Sequence, residues 1–141
     1  MDDSINMDII NKIKILGLSQ ERVNQLQSMK LKAPVFDINK VKLINTVETI
    51  NVDDVVGVCR NNTANTWLLM LYDEFCHKNS NFEEFNYSSF KKLLLNEPLD
   101  GLPIVYEYQN EYYIGGNGLH RLTIAKCLGG MTAKVAVCKI N

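Results

Sequence analysis

Residues 112–121 read YYIGGNGLHR, so Gly115, Gly116 and Gly118 surround Asn117, and His120 and Arg121 follow directly. Glycines let an anion approach the backbone, while a helix start leaves N–H groups without intrahelical partners and carries partial positive charge. Backbone amides beside an imidazole and a guanidinium suit a phosphate. A helix that serves structure alone would rather carry Asp or Glu in its first turn, so His120 and Arg121 break a local preference, and such breaks tend to mark function. The candidate phosphate ligands are Gly116, Asn117, Gly118, His120 and Arg121. In chemistry on that phosphate, Arg121 would neutralise charge and His120 would orient or protonate a phosphate oxygen or a leaving group. The plainer alternative is a tight strand-to-helix turn, with Arg121 in a surface ion pair.

Two familiar phosphate loops do not fit. No Gly-Lys-Ser/Thr follows at the spacing of a Walker A loop, and Arg121 stands where Gly-x-Gly-x-x-Gly needs its third glycine. A single strand is expected after the turn, whereas a dinucleotide-binding fold opens on its glycine turn and continues with several.

The elements that must position the turn are clear nearby. Two β-rich runs, 103–108 and 112–114, are joined by Gln109, Asn110 and Glu111, with Asn110 as the hairpin turn residue. Leu119, Leu122, Ala125 and Leu128 recur at helical spacing, Lys126 favours the C-terminal dipole, and Gly129 ends the helix. Residues 133–140 form a final strand. Upstream, Ile5, Ile9, Ile13 and Leu16, then Val23, Leu26 and Met29, predict two helices hinged at Gly17, with Ser19 capping the second. Residues 35–38 and 41–43 alternate as one strand or a strand pair, and 52–59 is a further β-rich run. Polar Asn and Thr residues within 61–66 precede an amphipathic helix carrying Leu68, Leu71, Tyr72 and Phe75. Ser88 caps another, with Phe90, Leu93 and Leu94 buried and Glu97 and Pro98 ending it. The expected fold is α/β (α+β): a small mixed sheet flanked by helices over 34–141, with an N-terminal helical pair, 1–33, packed on it or used as an arm.

A chain of 141 residues suits one domain. With 15 Lys plus Arg against 16 Asp plus Glu, the net charge of −1 advertises no nucleic-acid or anionic-membrane binder, so any basic surface is local. The longest apolar runs, such as residues 67–71, are far too short to cross a bilayer, and the N-terminus is acidic where a signal peptide is basic. A soluble, cytoplasmic protein without a membrane partner is expected. Cys59, Cys76, Cys127 and Cys138 form no Cys-x-x-Cys pair and meet only two histidines, so reduced thiols and no structural metal are expected.

Residues 88–140 resemble the ParB/sulfiredoxin-like superfamily, whose core (the ParB N-terminal-like nuclease domain) runs helix, Pro-Ile-Val strand, hairpin, glycine turn, helix ending in Leu-Gly, then a Val-rich strand. Gly118, His120, Arg121 and Leu122 fall on the superfamily's glycine, histidine, arginine and leucine positions. Residues 35–59 match its earlier strands loosely. The resemblance implies a turn that binds phosphates of a nucleoside triphosphate or of nucleic acid. Sulfiredoxins carry their catalytic cysteine where this chain has Leu119, so sulfinic-acid reduction is not expected. The partition proteins' arginine-rich turn and downstream DNA-reading helices are missing from the sequence, and partitioning is not expected either. The superfamily's acidic residue falls near Asn117, so catalytic carboxylates would have to come from Asp100 or Glu97 before the Pro103 strand, or from Asp37.

Three expectations follow. The first is an enzyme, by resemblance a nuclease or nucleotide-dependent phosphotransferase, with His120, Arg121, Asp100 and Glu97 as catalytic candidates. It would act by phosphodiester cleavage, NTP hydrolysis or phosphoryl transfer, with NTP and Mg2+ as cofactors. The second is a non-catalytic DNA-binding accessory, and the third a protein-interaction or inhibitory module that kept the fold, which Asn117 supports. A homodimer and a protein partner on the N-terminal helices both stay open. Gln20, Arg22, Gln25 and Lys30 after the Gly17 turn are compatible with a DNA-reading helix, although packing pairs of this kind are commoner. Trp67, Tyr72, Phe75 and Phe90 read as core rather than as a base-stacking platform, Arg60 as a solvated loop residue, and His77 as a helix-end residue.

Overall fold

The computed structural model describes residues 3–37, 39, 41–59, 64–71, 86–96, 101–115 and 118–140. Two helices open the chain, α1 (Asp3–Leu16) and α2 (Gln20–Ser28), followed by strand β1 (Val41–Asn51), a 3-10 turn (Val52–Asp54) and strand β2 (Val55–Val58). Then come the helices α3 (Trp67–Met70) and α4 (Tyr87–Asn96), the hairpin strands β3 (Ile104–Tyr108) and β4 (Glu111–Ile114), the helix α5 (Leu119–Leu128) and the strand β5 (Thr132–Ile140). None of the described helices is long and apolar enough to cross a membrane.

The strands make one mixed sheet in the order β1-β5-β3-β4-β2. β5 lies antiparallel to β1 and parallel to β3, and β4 lies antiparallel to β3 and parallel to β2. The two edge strands are consecutive in sequence, joined only by Val52–Asp54. Asn51 and Val55 can be no more than about 14 Å apart, whereas a flat sheet would hold its outer strands about 19 Å apart. The sheet must therefore curl, and Val52, at the join, is fully buried.

The concave face carries the core. Val105, Ile114, Val135 and Val137 meet Leu122 and Ala125 of α5, Phe90 and Leu94 of α4, and Trp67 and Met70 of α3. Leu16, Val23 and Leu26 belong to the same cluster, so the N-terminal helices are packed on the sheet domain. Gly17, at φ 69°, turns the chain between them, and Ser19 Oγ accepts the Arg22 N–H at 3.1 Å as the N-cap of α2. Beyond α2 the chain runs alongside β2: Lys32 N–H donates to Val56 O at 2.8 Å, and Lys32 pairs with Glu111. Phe36 then packs on the convex face, edge-on to Tyr113 at 5.1 Å and tilted on Tyr108 at 5.2 Å.

Several expectations are corrected. Residues 35–37 are not strand; the strand starts at Val41 and continues unbroken to Asn51. Residues 52–54 are a 3-10 turn, whose N-cap Asn51 accepts the Asp53 N–H. The cap of α4 is two residues earlier than Ser88: the helix starts at Tyr87, and Asn86 Oδ1 accepts the Ser89 N–H at 3.0 Å, while Leu93 is 44% exposed and Leu94 2% exposed. The hairpin turn has only two residues, Gln109 (φ 51°) and Asn110 (φ 65°), both left-handed, which matches the twist of the strands that Glu111 rejoins. Thr66 caps α3, and Trp67 is fully buried. Tyr72, Phe75, Cys76 and His77 lie outside the described residues, as do Arg60, Glu97 and Pro98.

Candidate phosphate-binding turn

The turn is set by β4 and received by α5. Gly115 N–H donates to Ile104 O at 2.7 Å, so the ladder continues one residue beyond β4. A Cβ on Gly115 would lie 2.3 Å from Cε2 of Tyr106, whose ring covers this backbone from the convex face. Gly118 is the N-cap of α5 at φ 91°, and a Cβ there would lie 2.4 Å from Cβ of Pro103. Both glycines thus have packing reasons: two backbones and two rings approach more closely than any side chain permits.

Gly118 supplies no side-chain cap, and the first turn of α5 holds no acidic residue. Leu122 N–H closes the first intrahelical bond on Gly118 O at 3.0 Å. His120 and Arg121 share that turn and are half-buried. Arg121 Nη2 donates to Gly101 O at 2.8 Å, which fastens the helix start to the segment entering β3. Gly118, His120 and Arg121 are therefore brought together in one turn, whereas Gly116, Asn117, Glu97 and Asp100 lie outside the described residues. Asp37 is exposed and its Oδ1 accepts the Asn39 N–H at 2.9 Å, a local turn bond. Among the described residues no group of three or more His, Cys, Asp or Glu side chains is arranged to hold a metal ion.

The partners of Arg121 and of the glycines are the part that sequence reasoning missed. Pro103 and Tyr106 were legible as strand residues, and their contact with the turn comes only from the β3–β4 pairing. Arg121 and Gly101 lie 20 positions apart with no periodic signal joining them.

The opposite end of α5 has its own polar cluster. Arg22 of α2 donates from Nε to Cys127 O at 2.9 Å and from Nη2 to Lys126 O at 2.6 Å, capping carbonyls that the helix leaves open. Its remaining arm meets Gln25 Oε1 at 3.0 Å. Lys126, expected to complement the helix dipole, is instead buried; its Nζ donates to Asp53 O at 2.8 Å and lies 5.6 Å from the Trp67 ring centroid. Burial lowers its pKa, opposed by the neighbouring Asp53. The Asp53 carboxylate accepts the Gly130 N–H at 3.2 Å, so one acidic residue serves both the lysine and the turn after α5. Burial pushes the half-exposed Cys59 thiol up to about 11. Among the described residues no disulfide joins Cys59, Cys127 or Cys138.

Comparison with protein families, with curated proteins and with solved structures finds no match for this chain.

Proposed function

We propose that the turn entering α5 holds a phosphate group of a nucleotide or nucleic acid, in the manner of ParB/sulfiredoxin-like proteins. One observation carries the reading. A ten-residue helix begins on a left-handed glycine without a side-chain cap, and its first turn holds His120 and Arg121 and no acid. Such a helix start offers amide donors and partial positive charge to an anion. The succession of α4, the β3–β4 hairpin, the glycine turn, α5 and β5 follows the order of the superfamily core and supports the resemblance.

On this reading the Arg121 guanidinium, which holds Gly101 O, also meets phosphate oxygens, with a planar fork that lysine lacks. His120 holds or supplies a proton at a phosphate oxygen or leaving group. Magnesium bound to the phosphates would neutralise developing charge in cleavage, hydrolysis or phosphoryl transfer. Glu97 and Asp100 precede Gly101 in the chain, which makes them the carboxylates nearest in sequence to the residue that Arg121 grips.

The test is thermal unfolding of the whole chain with nucleoside triphosphate and magnesium. At about 100 times the dissociation constant the stabilisation should approach ~2.7 kcal/mol. It should vanish in Arg121→Ala measured against that variant's own ligand-free baseline. No shift with any nucleotide sinks the nucleotide reading. A second reading, a module that kept the fold without chemistry, is favoured by the packing reasons found for Gly115 and Gly118. It predicts neither a nucleotide shift nor salt-sensitive retention on DNA.

A further inference from the structure

The two edges of the sheet are finished differently. At β2 the chain covers its own edge: Lys32 forms a parallel bridge with Gly57, its N–H donates to Val56 O at 2.8 Å, and its carbonyl occupies the space where a Cβ on Gly57 would be, 2.1 Å away. At β1 the described residues pair on one side only, with β5, at Val41↔Ile140 and, after a register shift, from Asn45↔Cys138 to Asn51↔Thr132. Natural edges are blunted with charged residues, lysine above all, with proline or with a bulge. Past that register shift the stretch 45–51, Asn-Thr-Val-Glu-Thr-Ile-Asn, keeps an unbroken register with β5, has no lysine and no proline, and carries Glu48 as its one charge.

We propose that β1 pairs antiparallel with β1 of a second copy of this chain, about a two-fold axis through Val47. The residue pattern selects that partner and that register. Centred on Val47, the pairs are Val47 with Val47, Thr46 with Glu48, and Asn45 with Thr49. Thr46 Oγ1 donates its one proton to Glu48 Oε2 at 2.6 Å within the strand, and the pairing places a second hydroxyl beside each carboxylate, so the bond is kept or exchanged across the axis without opposing like charges. A register centred on Glu48 would instead oppose two carboxylates, which is unfavourable. Val47, 49% exposed on the convex face, gains an apolar neighbour from its own symmetry mate. The contact is isologous and closes on two copies, with the next edges already covered by the Lys32 segment. Two five-stranded sheets would then run as one.

The experiment uses the full chain. Light scattering across a dilution series should show mass rising from 16.1 kDa toward twice that value with concentration. Val47→Cys should cross-link two copies under mild oxidation, because residues opposed at the axis place their Cβ atoms about 5 Å apart. Thr49→Cys should cross-link at least tenfold more slowly, since its symmetry mate lies roughly 13 Å along the strand. Wild type, with its own thiols, is the blank. Val47→Lys, on an exposed position, should leave the melting temperature of the dilute protein unchanged and shift the dimer midpoint at least tenfold upward. A mass of 16.1 kDa up to millimolar protein overturns the proposal, as does equal cross-linking at positions 47 and 49.

Discussion

Arg121 reaches 20 residues back along the chain, and its Nη2 donates to the carbonyl oxygen of Gly101 at 2.8 Å. The bond joins the first turn of α5 to the lead-in of β3, so the same side chain proposed for phosphate has a structural task. Arg121→Ala should therefore lower stability by about 1–2 kcal/mol without any ligand, the cost of a charge-assisted bond to a half-buried carbonyl. Urea unfolding followed by the fluorescence of Trp67, the only tryptophan, would measure it. An unchanged midpoint would mean that the bond contributes nothing to stability.

Gly118 and Gly130 separate strain from crowding. Both have positive φ, 91° and 67°, but a Cβ at Gly118 would strike Pro103 while nothing lies within 4 Å of one at Gly130. Gly130→Ala should cost only the left-handed backbone penalty, about 1–2 kcal/mol. Gly118→Ala should cost at least ~1 kcal/mol more, because Pro103 belongs to the rigid lead-in of β3. Equal losses in the two variants would remove the steric account of the turn.

The elements around the turn were legible because their signals are local. The helix-compatible recurrence of Leu119, Leu122, Ala125 and Leu128 and the left-handed Asn110 each fix a structure within a few residues. Where the reading failed, a distant partner decided. Lys126 sits at a helix end, where lysine ordinarily faces the dipole, yet the Asp53 carbonyl and the Trp67 ring hold its ammonium inside. Residues 44–51 were not read as strand, since Asn45, Thr46 and Glu48 spoil the alternation, and pairing with β5 overrides that. The order of elements in residues 88–140 was legible in their own patterns, whereas the contacts of Gly115 with Tyr106 and of Gly118 with Pro103 needed the sheet register.

Arg22 caps α5 from another helix. Its Nε and Nη2 atoms satisfy Cys127 O and Lys126 O, so Arg22→Ala strips two terminal carbonyls of their partners and should destabilise by about 1.5–3 kcal/mol. Arg22→Lys should recover less than half, because one ammonium cannot reproduce the fork. Full recovery by lysine would reduce the interaction to charge alone.

Thr123 Oγ1 is buried with no hydrogen-bond partner among the described residues. Thr123→Val keeps the shape and removes the unpaired hydroxyl, so it should raise stability by up to ~1 kcal/mol, against the usual direction of core substitutions. A loss of stability would show that the hydroxyl is satisfied in solution.

The Cys59 thiol carries a pH dependence whose sign is fixed by burial. Its ordinary value is 9.0, and burial raises it to about 11 in the folded chain. Between those values the native state keeps a proton that the unfolded state has released. Stability from this group is therefore full below pH 9.0 and is lost as pH rises through about 11. Cys138 and Tyr106 are shifted in the same direction by burial, so the wild type alone does not isolate Cys59. The difference between wild type and Cys59→Ser does: unfolding midpoints should fall more steeply with alkaline pH in the wild type. In parallel, alkylation of the folded chain at Cys59 should accelerate through pH 11 rather than level off near 9.0. Identical slopes for the two proteins, or alkylation that plateaus near 9.0, would show that water reaches the thiol and that burial does not set its ionisation.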